Sequence, residues 1–343
     1  MQQGVVMRFP FVVILAGGSG QRLWPLSHKE SPKQLIQFLD GRSLLQHTLD
    51  RVSALTKKDN VIIVTHSDYV QVIKEHVGHV VGRILAEPAC KNTAPAVLLA
   101  LRYIQEQGED AQVIIIPADH FVPQSERFLQ TLAQAVLFSQ NHNQIAILGA
   151  KPSYPATGYG YVQAQYNELF GGYAVVKFHE KPNEATARSY LERGDMWWNM
   201  GIFAGRVSVF LEEFSLYVPQ LFASLSQSNM APVDYNQLQS ISIDYAVMEK
   251  SNRLVVFPFF GDWFDVGNVR TFLDIQQKYG MQGVHNLINV HGHDNSVLSK
   301  KKIVACVGVS DLCVIETDDA LLIVSKNDVE SVKDVVGRLH ELS

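Results

Sequence analysis

A glycine-rich run, Ala16-Gly17-Gly18-Ser19-Gly20, is followed by Arg22 and, past Pro25 and Pro32, by Lys33. Glycines lack a Cβ, so backbone N–H groups there can approach an anion closely. Two cations on the same excursion can then grip a polyphosphate, Arg22 as a planar fork and Lys33 as a mobile point charge. Far along the chain stand two isolated carboxylates, Asp119 in Pro117-Ala118-Asp119-His120 and Asp265 in Asp262-Trp263-Phe264-Asp265-Val266-Gly267-Asn268. Mg²⁺, or another hard divalent cation, takes oxygen ligands and usually only one or two from protein. Two acids and a phosphate-binding turn therefore make a coherent set for phosphoryl chemistry, where charge must be neutralised as a phosphate group is transferred.

The same residues also have plainer readings. The glycine run could be a tight connection. Asp119 has a lesser reading as a turn aspartate, and Asp265 reads equally as a helix-entry residue near Gly267. Two familiar phosphate loops are excluded. Counting from Gly18 and Gly20, the third glycine of a dinucleotide fingerprint would fall at Leu23, which disfavours a nicotinamide oxidoreductase. The Gly-Lys-Ser/Thr of the other common loop is absent.

Taken together, Gly17-Gly18-Ser19-Gly20-Gln21-Arg22-Leu23-Trp24-Pro25-Leu26 and Pro32-Lys33-Gln34 resemble the signature of sugar-nucleotide pyrophosphorylases, and the Trp24 and Pro32-Lys33-Gln34 variant resembles the mannose-1-phosphate guanylyltransferase branch. The resemblance spans almost the whole chain. It implies GTP and mannose 1-phosphate as substrates, GDP-mannose and pyrophosphate as products, and Asp119 and Asp265 as the metal carboxylates. Phe178-His179-Glu180-Lys181-Pro182 is similar to the family's acceptor motif, with Lys181 on the sugar phosphate and Glu180 on sugar hydroxyls; read alone, it is a surface pair before a turn proline. Thr157-Gly158-Tyr159-Gly160 and Trp198-Asn199-Met200-Gly201-Ile202-Phe203 are similar to its sugar-pocket motifs. Gly158 would give close backbone access, and Asn199 offers both donor and acceptor to vicinal hydroxyls. Two departures stand out: His28 where the family usually has arginine, and Phe264 where it often has a smaller polar residue.

Base choice rests on Glu87. Guanine presents N1–H and N2–H₂ on one edge, and one carboxylate can accept both. Related uridylyl- and thymidylyltransferases tend to carry glutamine there, and Asn92-Thr93-Ala94-Pro95-Ala96 also matches the guanylyl branch; the plainer reading is a solvated loop glutamate. Within Ser242-Ile243-Asp244-Tyr245, Asp244 either touches sugar or caps a helix, and capping is the simpler expectation. His285, His291 and His293 cluster without the cysteine or carboxylate spacing of a metal site.

The elements that must position these residues are read from periodicity. Phe11 to Leu15, Val61 to Val64, Ile84-Leu85, Val113 to Ile116 and Ile145 to Leu148 read as buried strands. Helices are expected over Ser43 to Leu55, Tyr69 to Val77, Thr93 to Ile104 (capped by Asn92) and Phe128 to Phe138. That alternation predicts parallel strands with helices on both faces. Tyr159 to Gln165 and Tyr173 to Phe178 alternate and predict antiparallel or edge strands over the sheet. Helices over Glu184 to Leu191, Val207 to Phe214, Ser242 to Lys250 and Val269 to Tyr279, and a strand over Leu254 to Phe257, complete this part.

From Asn286 to Ser325 short apolar bursts alternate with turn residues, and Asp328 to Leu342 reads as a closing helix. The expected fold is α/β: a Rossmann-like, GT-A-like mixed sheet flanked by helices over residues 1–283. Residues 284–343 form a small module, which the resemblance identifies as a left-handed β-helix. Such a module buries little by itself, so a homodimer through it is expected.

The totals set limits. A chain of 343 residues with 47% hydrophobic content can bury a large core. A net charge of −5 lacks the basic surface of a nucleic-acid binder. Cys90, Cys306 and Cys313 are odd in number and unpaired in spacing, which fits neither a disulfide framework nor zinc. No apolar run approaches the ~18 residues of a membrane span. Arg8 and Pro10 interrupt the apolar start, so no secretory signal and a cytoplasmic location are expected. On length, a form without the isomerase barrel of bifunctional relatives is expected. A regulatory subunit without catalysis would have lost Lys33, Asp119 or Asp265, and all three are present.

Overall fold

A computed structural model describes residues 9–38, 40–108, 110–167, 171–225, 235–280, 287–299 and 301–342. The strand Phe11–Leu15 forms as expected, with Val12, Val13 and Ile14 fully buried. Val61–His66 and Gln112–Pro117 flank it in parallel, with Val12 opposite both Val61 and Ile114. Arg83–Glu87 adds outside Val61–His66. These apolar runs do not alternate because helices cover both faces of such a sheet.

Among the described residues the sheet has nine strands. After Arg83–Glu87, Val61–His66, Phe11–Leu15 and Gln112–Pro117 come Met196–Arg206, Ile145–Ala150, Leu254–Phe259, Gly172–His179 and Tyr161–Asn167. Met196–Arg206 runs antiparallel to both its neighbours, and Leu254–Phe259 runs parallel to Ile145–Ala150. The expected antiparallel pair does not lie over the sheet. It is part of it, joined through Ala174 opposite Val255 and through Tyr161 opposite Trp198.

Met196–Arg206 is absent from the strands expected on sequence. Asn199 and Gly201 interrupt its apolar run, and near-continuous burial on both faces removes the period of two that would mark it. The helix Pro219–Ser224 is likewise unforeseen. The helix expected over Ser242 to Lys250 is a π-helix, Asp244–Met248, closed by the Glu249 N–H donating to the Asp244 carbonyl at 2.9 Å.

Helix Thr93–Glu106 buries Ala94, Val97, Leu98, Leu101 and Ile104 against Val13, Ile62 and Val113 of the sheet. Each large apolar side chain so buried contributes about 1.5–3 kcal/mol. Leu101→Ala would cost roughly 2–5 kcal/mol, the transfer loss plus the cavity left behind.

The C-terminal segment is a β-helix. Leu287–Val290 pairs in parallel with Val304–Val307, and Ser296–Leu298 with Leu312–Glu316, in the registers Leu287 to Val304 and Ser296 to Cys313. Side chains repeat that 17-residue step: Ser299 donates to Glu316, Lys301 pairs with Asp318, and the Leu312 N–H donates to Asn295. Leu321–Ser325 folds back antiparallel on Leu312–Glu316, and the helix Val332–Leu342 closes the chain.

By internal packing the chain forms two compact units. One comprises Met1–Gly17, Asp50–Pro117 and Gln124–Asp262 and holds the nine-stranded sheet. The other comprises Gly18–Leu49, Ala118–Pro123 and Trp263–Ser343, so that the signature segment clusters with the β-helix. The composition shift near Gly283 lies outside the described residues. Among the described residues no helix is long and apolar enough to cross a membrane.

Candidate active site

Asp119 and Asp265 meet within the second unit. Phe121 and His120 pair antiparallel with Phe264 and Asp265, and the Val266 N–H donates to the Asp119 carbonyl at 3.1 Å. One ligand atom from each of Asp119, His120 and Asp265 then lies within 4.8 Å of the others. Lys33 reaches the same place and forms an ion pair with Asp119 Oδ2. Its stem lies along the glycine run: a Cβ on Gly18 would stand 2.7 Å from Lys33 Cε, and one on Gly20, at φ +70°, 2.5 Å from Lys33 Cβ. Gly20 is thus required by its positive φ and by the approach of Lys33 Cβ, while a side chain on Gly18 would displace the end of the lysine.

The electrostatics divide the two acids. Burial alone would raise Asp119, but the Lys33 ammonium outweighs it and holds this carboxyl below its usual range. Asp265 is pushed up, first by burial and then by the charge of Asp119. Burial opposes the charge on Lys33, yet the two acids raise its pKa above the ordinary lysine value. Lys33 serves both carboxylates, His120 acts on both and Arg22 on Asp265, and a divalent ion would suit the two acids together. The Trp263 indole N–H donates to His120 Nδ1 at 3.2 Å, which places the proton of the neutral ring on Nε2. Asp119 and Asp265 offer hard oxygen donors, which fit Mg²⁺ or a similar cation.

Asp265 does not cap the helix Val269–Tyr279. Asn268 does, its Oδ1 accepting the Thr271 N–H at 3.0 Å. Phe264, one of the two departures, packs with Phe121 and Tyr279 and leaves Asp265 in place. His28 forms an isolated bridge with Ser31.

Glu87 lies in the first unit, at the end of Arg83–Glu87, and is buried. A Cβ on Gly17 would stand 3.5 Å from Glu87 Oε2, and Oε1 has no hydrogen-bond partner among the described residues. Burial pushes its carboxyl up to about 7. The solvated-loop reading is therefore wrong: the carboxyl is buried, and its Oε1 meets no donor among the described residues. Ala16 is fixed nearby, its carbonyl accepting from Thr65 Oγ1 at 2.8 Å. Asn92 caps its helix at φ +67°, with Oδ1 accepting the Thr93 N–H, and Thr93 Oγ1 accepts the Ile243 N–H at 2.9 Å. The Thr93 hydroxyl ties the helix to the segment that leads into Asp244.

The first unit also gathers Glu180, Lys181, Asn199 and Asp244. Lys181 Nζ lies 2.8 Å from Glu180 Oε1, and Glu180 Oε2 is buried with no partner among the described residues. Asn199 donates from Nδ2 to Asp244 Oδ1 at 2.8 Å, while its Oδ1 accepts the Gly201 N–H at 2.9 Å. Asp244 is thus no helix cap; Ile243 holds that position and the Asp244 side chain is spent on Asn199. Burial, then the charge of Glu180, pushes Asp244 up to about 7, with Lys181 pulling against both. Space in front of Gly158 is open, since a Cβ there meets nothing within 4 Å. The tighter glycine of this motif is Gly160, where a Cβ would stand 2.5 Å from Glu180 Oε2, so any side chain there would push the end of Glu180 aside.

A nucleotidyl transferase family model matches residues 11–282, most of the chain. The chain belongs to the nucleotidyl transferase family. A second model, the MannoseP isomerase/GMP-like beta-helix domain, matches residues 285–339. The chain is 34% identical over 352 residues to mannose-1-phosphate guanylyltransferase 2 of Escherichia coli O157:H7, covering 95% of this chain and 73% of that protein. It is 33% identical over 349 residues to a mannose-1-phosphate guanylyltransferase of Escherichia coli, covering 95% and 75%. Among solved structures it superposes on a mannose-1-phosphate geranyltransferase from Thermus thermophilus with a TM-score of 0.85 and 31% identity, covering 97% of this chain and all of that one.

For this nucleotidyl transferase, sequence reasoning missed three residues around the sites. Trp263, which sets the His120 proton, carried no signal, because an indole in an Asp-Trp-Phe-Asp run reads as core. Gly160 could have been found beside Gly158 in the same motif. Glu330, which pairs with Arg22, lies in the closing segment and had no local mark. Of the histidine cluster, His285 lies outside the described residues.

Proposed function

We propose that this nucleotidyl transferase transfers a guanylyl group from GTP to mannose 1-phosphate, releasing pyrophosphate and forming GDP-mannose. What carries the reading is the buried Glu87 beside Gly17, whose Oε1 has no partner among the described residues, a carboxylate fitted to accept the two donors on guanine's edge. The names of the relatives agree with it.

In this reading a phosphate oxygen of the sugar phosphate attacks the α-phosphorus in line, and the bond to the bridging oxygen of pyrophosphate breaks. A phosphate is nucleophilic at neutral pH, so no general base or covalent intermediate is required. Catalysis is then positioning and charge stabilisation. Gly17, Gly18, Ser19 and Gly20 offer backbone donors, and Arg22 and Lys33 hold the triphosphate. Lys181 holds the acceptor phosphate; Glu180 and Asn199 take sugar hydroxyls, with Asp244 fixing the Asn199 amide. Asp119 and Asp265 would hold Mg²⁺, which when bound supplies charge neutralisation between the α-phosphate and the leaving pyrophosphate.

The proposal extends to a homodimer through the β-helix. Ile288, Val290 and Val307 leave apolar side chains exposed on the paired strands Leu287–Val290 and Val304–Val307. Sedimentation of the full chain would give a dimer, and Ile288→Glu a monomer.

Pyrophosphate release across a panel of nucleoside triphosphates and hexose 1-phosphates tests the reaction. GTP with mannose 1-phosphate should give the highest kcat/KM. A preference for UTP or dTTP would overturn the Glu87 assignment, and no turnover with any pair would overturn catalysis.

A further inference from the structure

The side chain that holds Arg22 comes from the β-helix. Arg22 Nη1 donates to Glu330 Oε2 at 2.7 Å, and Glu330 Oε1 accepts from Asn268 Nδ2 at 3.2 Å. Asn268 is the cap of Val269–Tyr279, three residues beyond Asp265. The other arm of the guanidinium, Nη2, lies 3.7 Å from where a Cβ on Gly267 would stand, as does Asp265 Oδ1. One arm of Arg22 is gripped, and the charge of its guanidinium is felt by the Asp265 carboxylate.

Glu330 is itself well placed. It sits in the single turn Val329–Ser331, between Val329 and Val332, which are buried with Cys313, Ile315 and Leu322. Trp24 and Leu26, next to Arg22 in the signature, pack on the same cluster. Arg22 and Glu330 are both exposed, and such a pair contributes little to stability. What it restricts is rotamer freedom: an arginine already held in place loses less entropy when a ligand arrives.

We infer that Glu330 is a positioning residue for the nucleotide. It orders Arg22 through one of five N–H donors and leaves the others to the phosphate chain. The inference deepens the proposed function and rests on Arg22 holding the triphosphate.

The test is a double-mutant cycle in the full chain, with Glu330→Ala, Glu330→Gln, Arg22→Ala and the double variant. Binding of GTP and of inorganic tripolyphosphate, each with Mg²⁺, is measured by calorimetry beside KM, kcat and Tm. Glu330→Ala should weaken binding of both probes and raise KM for GTP about three- to tenfold. KM for the sugar phosphate should stay within about twofold and Tm within about 2 °C, as expected for an exposed pair. Glu330→Gln, which keeps one acceptor and the same shape, should fall between, and it carries the test if Glu330→Ala fails to fold. In the Arg22→Ala background Glu330→Ala should add nothing.

Unchanged binding in Glu330→Ala overturns the inference. So does tighter binding, which would make Glu330 a mask over Arg22, and so does a full further loss in the Arg22→Ala background. Tripolyphosphate lacks base and sugar, so it reads Arg22 and Glu330 even if guanine is the wrong base. Failure of the wild-type chain to form a nucleotide sugar, with the tripolyphosphate effect intact, sinks the proposed function and not this inference.

Discussion

Asp265 faces His120 across an antiparallel ladder only two residues long, and that register delivers its carboxylate to Asp119. Lys33 is the charge that makes the meeting tolerable. Lys33→Ala should therefore lower kcat by at least about a hundredfold, as loss of a charge-stabilising group does, and lower Tm when no divalent ion is present. Adding Mg²⁺ should raise Tm more in the variant than in the wild type, because the ion then restores the missing charge. Equal shifts would mean that Lys33 and the ion do not share these acids.

Removing either acid should stop the reaction without unfolding the protein. Asp119→Ala and Asp265→Asn should each lower kcat by about a thousandfold or more, with an unchanged near-UV circular dichroism spectrum. Wild-type-like pyrophosphate release from either would dismiss the metal assignment.

Glu87 should confer a pH dependence of stability. Its carboxyl rises from an ordinary 4.5 to about 7, so the folded chain binds this proton more tightly than the unfolded chain. The stabilising contribution is present in full below about 4.5 and is lost as pH rises through about 7, on the order of 3 kcal/mol. Tyr235 and Cys90 both feel its charge and are pushed up mainly by burial. Urea unfolding of wild type and Glu87→Gln at pH 5 and pH 8 should show the wild type losing stability relative to the variant. GTP binding should move the other way, strengthening as the carboxylate ionises, and the variant should lose that pH dependence.

On the sugar side, Lys181→Ala should raise KM for the sugar phosphate about tenfold or more, the cost of a charged hydrogen-bond partner, and leave KM for GTP unchanged. Gly160→Ala should do the same indirectly, because its Cβ would displace Glu180 Oε2. An unchanged sugar-phosphate KM in both variants would remove this cluster from the acceptor site.

Most of the sheet was legible because buried parallel strands advertise themselves as β-branched apolar runs, as Phe11–Leu15 and Gln112–Pro117 do. Met196–Arg206 was not, because Asn199 and Gly201 interrupt its apolar run and burial on both faces removes the alternation that would reveal a strand. The acids were legible as motifs, but their convergence was not, since the ladder of His120 and Asp265 joins segments distant in sequence. Asp244 looked like a cap because carboxylates at helix starts usually are; burial beside Asn199 sends its side chain elsewhere. Pairing of Arg22 with Glu330 depends wholly on how the C-terminal coils fold.

Those coils repeat every 17 residues, and the turn bearing Glu330 comes after them. The β-helix thus works as a ruler graduated in whole coils. Inserting or deleting one would shift the Glu330 turn by one strand spacing, about 4.8 Å. That step is longer than the 2.7 Å contact between Glu330 and Arg22 could absorb.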